Sequence, residues 1–284
     1  GIINGGRTAV IEMAEASGIM LLEEEEKNPL IATTYGTGQL IKAALDKGIR
    51  DIIIGIGGSA TNDGGIGAAK AVGVKFLDAQ GKEVGHGGRE LENIKNIDIS
   101  GLDPRLKDSS IKVICDVTNP LLGEDGATFV YGPQKGVREW ELCKLEAGMR
   151  NYGALLKELA GEDVGEVAGA GAAGGLGVAL LTFFGAHLAP GIDTILDIVN
   201  FEKLLEDVDL VITGEGNMDG QSIYGKVPVG IGRRCKKQNI PVLAIVGGMG
   251  DDAQKVYDYG IDSIMVTVNR SMSLDEAIER AEEL

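Results

Sequence analysis

The sequence predicts an α/β fold built on a parallel sheet, and three observations carry that prediction. Apolar runs at 51–58, 209–216 and 241–248 each end in glycine, the pattern of strands buried on both faces. Segments with helical apolar spacing lie between the strand-like runs. Strands that alternate with helices imply a parallel sheet covered by helices on both sides.

Taken in order, 8–13 reads as a strand and the acidic run 23–26 as a solvated loop or helix start. Leu40, Ile41, Ala44 and Leu45 share one helical face over 38–47, with Gly48 as the C-cap. The run 51–58 is a buried strand, 60–72 a Gly/Ala-rich helix and 74–78 a further strand. Residues 79–110 are polar and irregular. A strand over 111–116 ends on a carboxylate, Asp116, and a long helix is predicted over 137–159. The nearly pure Gly/Ala stretch 168–175 opens into a helix over 176–184. Ile195, Leu196, Ile198, Val199, Leu204 and Leu205 predict one amphipathic helix over 194–205. Strands follow at 209–216, 241–248 and 262–267. Ser273 and Glu276 form a capping box for the last helix. Ligands of open parallel sheets bind beyond the carboxyl ends of strands. The glycine-rich ends at 54–58, 213–216 and 247–250 are therefore expected to converge on a site.

Composition narrows the function. The 284 residues carry a formal net charge of −16, which disfavours nucleic-acid and anionic-membrane partners. An anionic ligand must then be held by backbone N–H groups, a metal ion or a few local cations. Forty-four glycines without a G-X-Y period exclude collagen. Cys115, Cys143 and Cys235 stand alone, as suits reduced thiols and a cytoplasmic protein. No apolar run reaches the roughly 18 residues of a membrane span, and no signal-peptide pattern is present. His86 and His187 read as structural. Gly1 opens directly into a strand-like pattern and the chain stops within a helical one, as in a fragment of a longer protein.

Polar chemistry concentrates in four places. Gly55-Ile-Gly-Gly-Ser-Ala-Thr-Asn-Asp-Gly-Gly65 joins a buried strand to a helix, and free N–H groups there suit phosphate oxygens. Gly55-x-Gly57-x-x-Ala60, with Asp78 downstream, also matches a dinucleotide fingerprint. Cys115-Asp-Val-Thr-Asn-Pro120 sets Asp116 and Asn119 at a strand end, where a carboxylate can take a hydroxyl proton or hold a divalent ion. Gly132-Pro-Gln-Lys-Gly136 presents Lys135 on a rigid loop. Thr213-Gly-Glu-Gly-Asn-Met-Asp-Gly-Gln-Ser222, followed by Lys226, combines carboxylates, glycine backbone and lysine, which is what phosphoryl transfer requires. The residues alone leave open a kinase, a nicotinamide-dependent oxidoreductase or a non-catalytic small-ligand-binding α/β protein.

GIGGSATNDGG, CDVTNPL, GPQKG, AGAGAAGGLG and ITGEG-x-x-D-x-Q-S-x-x-GK-x-P, in that order, resemble the bacterial-type (type I) glycerate kinases. The resemblance runs from about Thr8 to the end. It implies a Rossmann-like or flavodoxin-like parallel-sheet domain plus a second α/β domain, with the site in the cleft between them. The first domain would comprise 30–72 and 174–284, the second 1–29 and 73–173. The family's Pro-Asp-Ser-Phe-Lys strand end and Ala-Asp-Gly-Gly-Glu-Gly segment are expected before Gly1, with further helical turns after Leu284.

The resemblance further implies transfer of phosphate from ATP to D-glycerate with magnesium. Catalytic roles fall to Asp116, Asp219 and Lys226, with Asp116 the preferred group to orient or deprotonate a glycerate hydroxyl. Gly57, Gly58, Ser59, Thr61, Asn62, Asp63, Asn119, Lys135, Gly214 and Gln221 would bind substrate or ATP, and Glu215 and Asp219 would hold the metal. Homo-oligomerisation and the choice between the 2- and 3-hydroxyl stay open.

Overall fold

The computed structural model describes residues 1–284 apart from Tyr224, Asn269 and the side chain of Gln221. Two compact units divide the chain at Ala189 and Pro190. Both are α/β.

The strands of the first unit are β1 (Ile2–Ile3), β2 (Thr8–Glu12), β3 (Asp51–Gly55), β4 (Lys75–Leu77), β5 (Asn96–Asp98), β6 (Ser110–Ile114) and β7 (His187–Ala189). Five of them form one sheet in the order β1-β2-β3-β6-β7. Only β1 runs antiparallel to its neighbour; β2, β3, β6 and β7 are parallel. Ile52, Ile53 and Ile54 make β3 the buried centre, because helices on both faces leave no solvent side to alternate with. Glu12 pairs with Gly55 and Gly55 with Ile114, so three strands end at one level. The core joins Ile41, Leu45, Ile54 and Val113 to Phe76, Tyr152 and Phe183. The Phe76 ring meets those of Tyr152 and Phe183 edge-on at 6.1 and 5.8 Å.

Helices Tyr35–Asp46, Glu139–Ala160 and Ala172–Phe184 match the predicted ones. The predicted helix over 60–72 is shorter, Ile66–Ala71. Gly64 and Gly65 sit at φ +61° and +75°, and Asp63 takes the Gly65 and Gly67 N–H groups, so the turn consumes the first half of that segment. The strand predicted at 74–78 lies outside the main sheet and pairs antiparallel with β5, inside the stretch expected to be irregular. The short β1 falls in the strand-like pattern that opens the chain, whereas hydropathy gives no sign of β7, which is defined by its pairing partner. β2 pairs with β3 within the first unit, where the resemblance implies one domain for 1–29 and another for 30–72.

In the second unit β8 (Val211–Met218), β9 (Val242–Met249) and β10 (Ser263–Val266) form a wholly parallel sheet in the order β10-β9-β8. Val229, Cys235, Val242, Ala244, Val246, Val256 and Ile261 make its core. The glycines expected to form turns at 213–216 and 247–250 mostly extend the strands: Gly214 pairs with Ile245 and Gly248 with Asn217. The helix predicted over 194–205 breaks into Gly191–Ile198 and Phe201–Leu204, because Asn200 takes the left-handed conformation at φ +53°. Helix Val227–Lys237 lies where the apolar pattern predicts none. Its signals are Pro228 in the first turn and Arg234, Lys236 and Lys237 in the last. The capping bond of the last helix forms, with Ser273 Oγ accepting from Glu276 N–H at 3.1 Å.

Candidate active site

In the first unit the carboxyl ends of β2, β3 and β6 open into a cavity of about 600 Å³. Glu12, the backbone of 55–58, Ser59, Asp116, Tyr131, Gln134 and Lys135 line it. It thus brings together Gly57, Gly58, Ser59, Asp116 and Lys135 from the set the sequence pointed to.

The glycine turn is shaped from behind. Ala173, Gly174 and Gly175 hold left-handed φ values at the start of helix Ala172–Phe184. Gly64 N–H donates to the Gly174 carbonyl at 2.9 Å. A Cβ on Gly174 would stand 2.0 Å from the Thr61 oxygen, so only glycine permits this approach. The AGAGAAGGLG stretch therefore acts as a backbone mould for the 61–64 turn.

Lys135 ends the short 3₁₀ turn Pro133–Lys135 and is only 3% exposed. Its Nζ donates to Ser59 Oγ at 2.7 Å and to the Thr61 carbonyl at 2.8 Å. Burial lowers its pKa to about 7, against the pull of the Asp63 charge. An ammonium has three donors, so two are used by the turn and a third remains for an anion in the cavity.

Asp63 does not reach the cavity lining. It is fully buried and accepts from Thr34 N–H (2.8 Å), Thr34 Oγ1 (3.0 Å), Thr33 Oγ1 (3.3 Å), Gly65 N–H (3.0 Å) and Gly67 N–H (3.3 Å). Burial raises its pKa, while the bonds from Thr34, Gly65 and Gly67 oppose the rise. Its position makes it the anchor of the turn. Asn62 is also fully buried, its amide donating to Thr128 Oγ1 at 3.2 Å. Thr61 contributes its carbonyl to Lys135.

Asp116 stands on the cavity wall, exposed, two residues beyond β6. Asn119 is not in the lining. It donates to the Asp125 carbonyl at 2.8 Å and accepts from the Tyr131 hydroxyl at 2.6 Å. Tyr131, which does line the cavity, thereby ties down the loop that carries Asp116. The fingerprint 55–60 does not open a helix, since the next helix begins at Ile66; this removes the context a nicotinamide-binding turn needs.

Three polar lining residues escaped the sequence pattern, Glu12, Tyr131 and Gln134. Glu12 closes a mostly apolar strand as its one exposed residue and looks like an ordinary solvent-side position. Its register opposite Gly55 was the only signal, and it appears only once the strands are paired.

The second unit holds the other predicted residues. Asp219 follows β8 and accepts from Asn217 Nδ2 at 3.2 Å and from Ser222 Oγ at 3.4 Å. Lys226 Nζ donates to the Asn217 carbonyl at 3.3 Å and lies 4.0 Å from Asp219 Oδ1. Glu215 and Gly214 lie within β8, and Glu215 Oε1 accepts from Gly216 N–H at 3.3 Å. The side chain of Gln221 lies outside the described residues. Among the described residues no three of His, Cys, Asp and Glu converge as a metal cluster. Magnesium, however, needs only one or two carboxylates and fills its remaining sites with water and phosphate oxygens. Glu215 and Asp219 are carboxylates of the type such a site uses, four residues apart along β8 and its end. No helix among the described residues is long and apolar enough to cross a membrane.

The profile of the glycerate kinase family matches residues 1–284. A glycerate kinase of Halalkalibacterium halodurans is 47% identical over 284 residues, all of this chain and 75% of that one. A glycerate 2-kinase of Escherichia coli K12 is 50% identical over 281 residues, 99% of this chain and 74% of that one. A crystal structure from Salmonella typhimurium LT2, assigned to glycerate kinase 2, superimposes with a TM-score of 0.82 at 45% identity, covering 99% of this chain and 74% of that one.

Proposed function

The chain belongs to the glycerate kinase family, and from that membership we propose that it transfers the γ-phosphoryl group of ATP to a hydroxyl of D-glycerate. The observation that carries the reading to this chain's residues is the cavity at the ends of β2, β3 and β6, with a buried lysine beside a glycine turn and a carboxylate on its wall.

Phosphoryl transfer asks a protein mainly for positioning and charge stabilisation. Lys135 and the backbone N–H groups of Gly57 and Gly58 bind the anionic end of the substrate. Asp116 orients the acceptor hydroxyl and takes its proton as the oxygen attacks. Lys226 offsets phosphate charge in the second unit. Glu215 and Asp219 would hold magnesium, which supplies neutralisation of the β- and γ-phosphate oxygens when bound. The E. coli relative bears the name glycerate 2-kinase, and the proposal takes the same 2-hydroxyl as acceptor. The parallel sheet β10-β9-β8 supports a Rossmann-like character for the second unit, and cytoplasmic placement belongs to the same reading.

Product identification tests this directly. The purified protein with ATP, magnesium and D-glycerate should yield 2-phosphoglycerate, resolved from the 3-isomer by ³¹P NMR. Formation of 3-phosphoglycerate would overturn the choice of hydroxyl, and no phosphoglycerate at all would overturn the function.

A further inference from the structure

Glu12 is a charged cavity residue that no part of the reaction above employs. It ends β2 in direct register with Gly55, the last residue of the central strand. A Cβ on Gly55 would lie 2.1 Å from Glu12 Oε1 and 3.0 Å from its Cδ. The absence of a side chain at Gly55 is therefore what lets the Glu12 carboxylate lean over β3 into the cavity. No described residue gives this carboxylate a hydrogen bond or an ion pair, in contrast to Asp63, which is saturated by five donors.

The cavity so carries a carboxylate at each flank of β3: Glu12 from β2 and Asp116 from beyond β6. Adjacent strands lie about 4.8 Å apart, which puts the β2 and β6 backbones about 10 Å apart. Glu12 narrows that span by leaning over Gly55. Lys135, held by Ser59 and Thr61, supplies the positive charge. Glycerate carries one carboxylate and two hydroxyls. A cation answers the carboxylate, and two hydroxyl donors call for two acceptors.

The geometry points to Glu12 as a specificity-determining residue that accepts a hydrogen bond from the glycerate hydroxyl that is not phosphorylated, while Asp116 faces the one that is. This assignment rests on the glycerate kinase reading above. It means that the site selects a dihydroxy acid over monohydroxy acids of the same length. A hydrogen bond to a charged acceptor contributes about 1.5–3 kcal/mol, or roughly 10- to 100-fold in kcat/KM.

The test is a cycle of variants against substrates. D-Lactate keeps the 2-hydroxyl and lacks the 3-hydroxyl; 3-hydroxypropanoate does the reverse. One of the two therefore always retains the acceptor and lacks the spectator. Glu12→Ala should lower kcat/KM for D-glycerate roughly 10- to 100-fold, chiefly through the KM for glycerate, and leave the KM for ATP unchanged. For the analogue without the spectator hydroxyl the change should stay within about threefold, read as an inhibition constant against glycerate where turnover is too slow. Gly55→Ala keeps the carboxylate but displaces it, and should reproduce the same selective loss. An equal loss on glycerate and analogue, or a Glu12→Ala enzyme within threefold of wild type on glycerate, overturns the assignment. Wild-type protein that does not phosphorylate glycerate overturns the functional reading beneath it.

Discussion

Replacing Lys135 by methionine removes a buried cation and keeps most of its stem. Lys135 is 3% exposed, and burial holds its pKa at about 7 against the ordinary lysine value of 10.5. That displacement corresponds to on the order of 5 kcal/mol of cost for keeping the ammonium in the fold at low pH. Below pH 7 the lysine is protonated in both folded and unfolded chains, so the whole cost stands. Between pH 7 and 10.5 the unfolded chain binds a proton that the folded chain lacks, and wild-type stability rises with pH. Integrating from pH 7 to pH 9 gives wild type a gain of about 2 kcal/mol relative to Lys135→Met, because other titrating groups cancel in the difference. Against this, the variant leaves Ser59 Oγ and the Thr61 carbonyl without their donor, an offset of about 1–3 kcal/mol that does not depend on pH. Urea unfolding of both proteins at pH 7, 8 and 9 measures the difference. A gap that changes by less than about 0.5 kcal/mol across that range refutes the lowered pKa of the buried lysine.

Other perturbations give separate readouts. Asp116→Asn keeps the shape of the wall but removes the proton acceptor, so kcat should fall about 10²- to 10⁴-fold with little change in the KM for ATP, as steady-state kinetics would register. Gly174→Ala drives a Cβ to within 2.0 Å of the Thr61 oxygen at a φ of +68°, and should destabilise the protein by about 3 kcal/mol or more in thermal unfolding; an unchanged Tm would count against the backbone mould. With a net charge of −16, ATP should bind weakly without a divalent ion, and calorimetry should find much tighter binding in magnesium than in a chelator.

The parts legible in the sequence were those written in runs. β3 announced itself through consecutive isoleucines, and the cavity lies beyond its glycine end, as parallel-sheet chemistry anticipates. Lys135, Ser59 and Asp116 could be singled out because each sits in a short polar segment between apolar ones. Asp63 looked like a ligand for the same reason, yet the turn uses its carboxylate to satisfy backbone N–H groups that the fold buries. Glu12 was hidden by the opposite effect. Its charge at the end of an apolar strand marks it as a solvent-side residue, and only pairing with Gly55 directs it into the cavity. Helix 194–205 failed at one dihedral, that of Asn200, which no apolar pattern records.

The mould behind the glycine turn sets an order on biosynthesis. The 61–64 turn takes its shape from Gly174, and the sheet that carries it is completed at its far edge only by β7. A ribosome adding roughly 5–20 residues per second reaches Gly174 on the order of ten seconds after Gly64. Throughout that interval the nascent chain carries a polar turn without its backing and a parallel sheet with an open edge. Such species invite off-pathway pairing, so the yield of active protein should depend on translation speed and chaperone supply more than its final stability suggests.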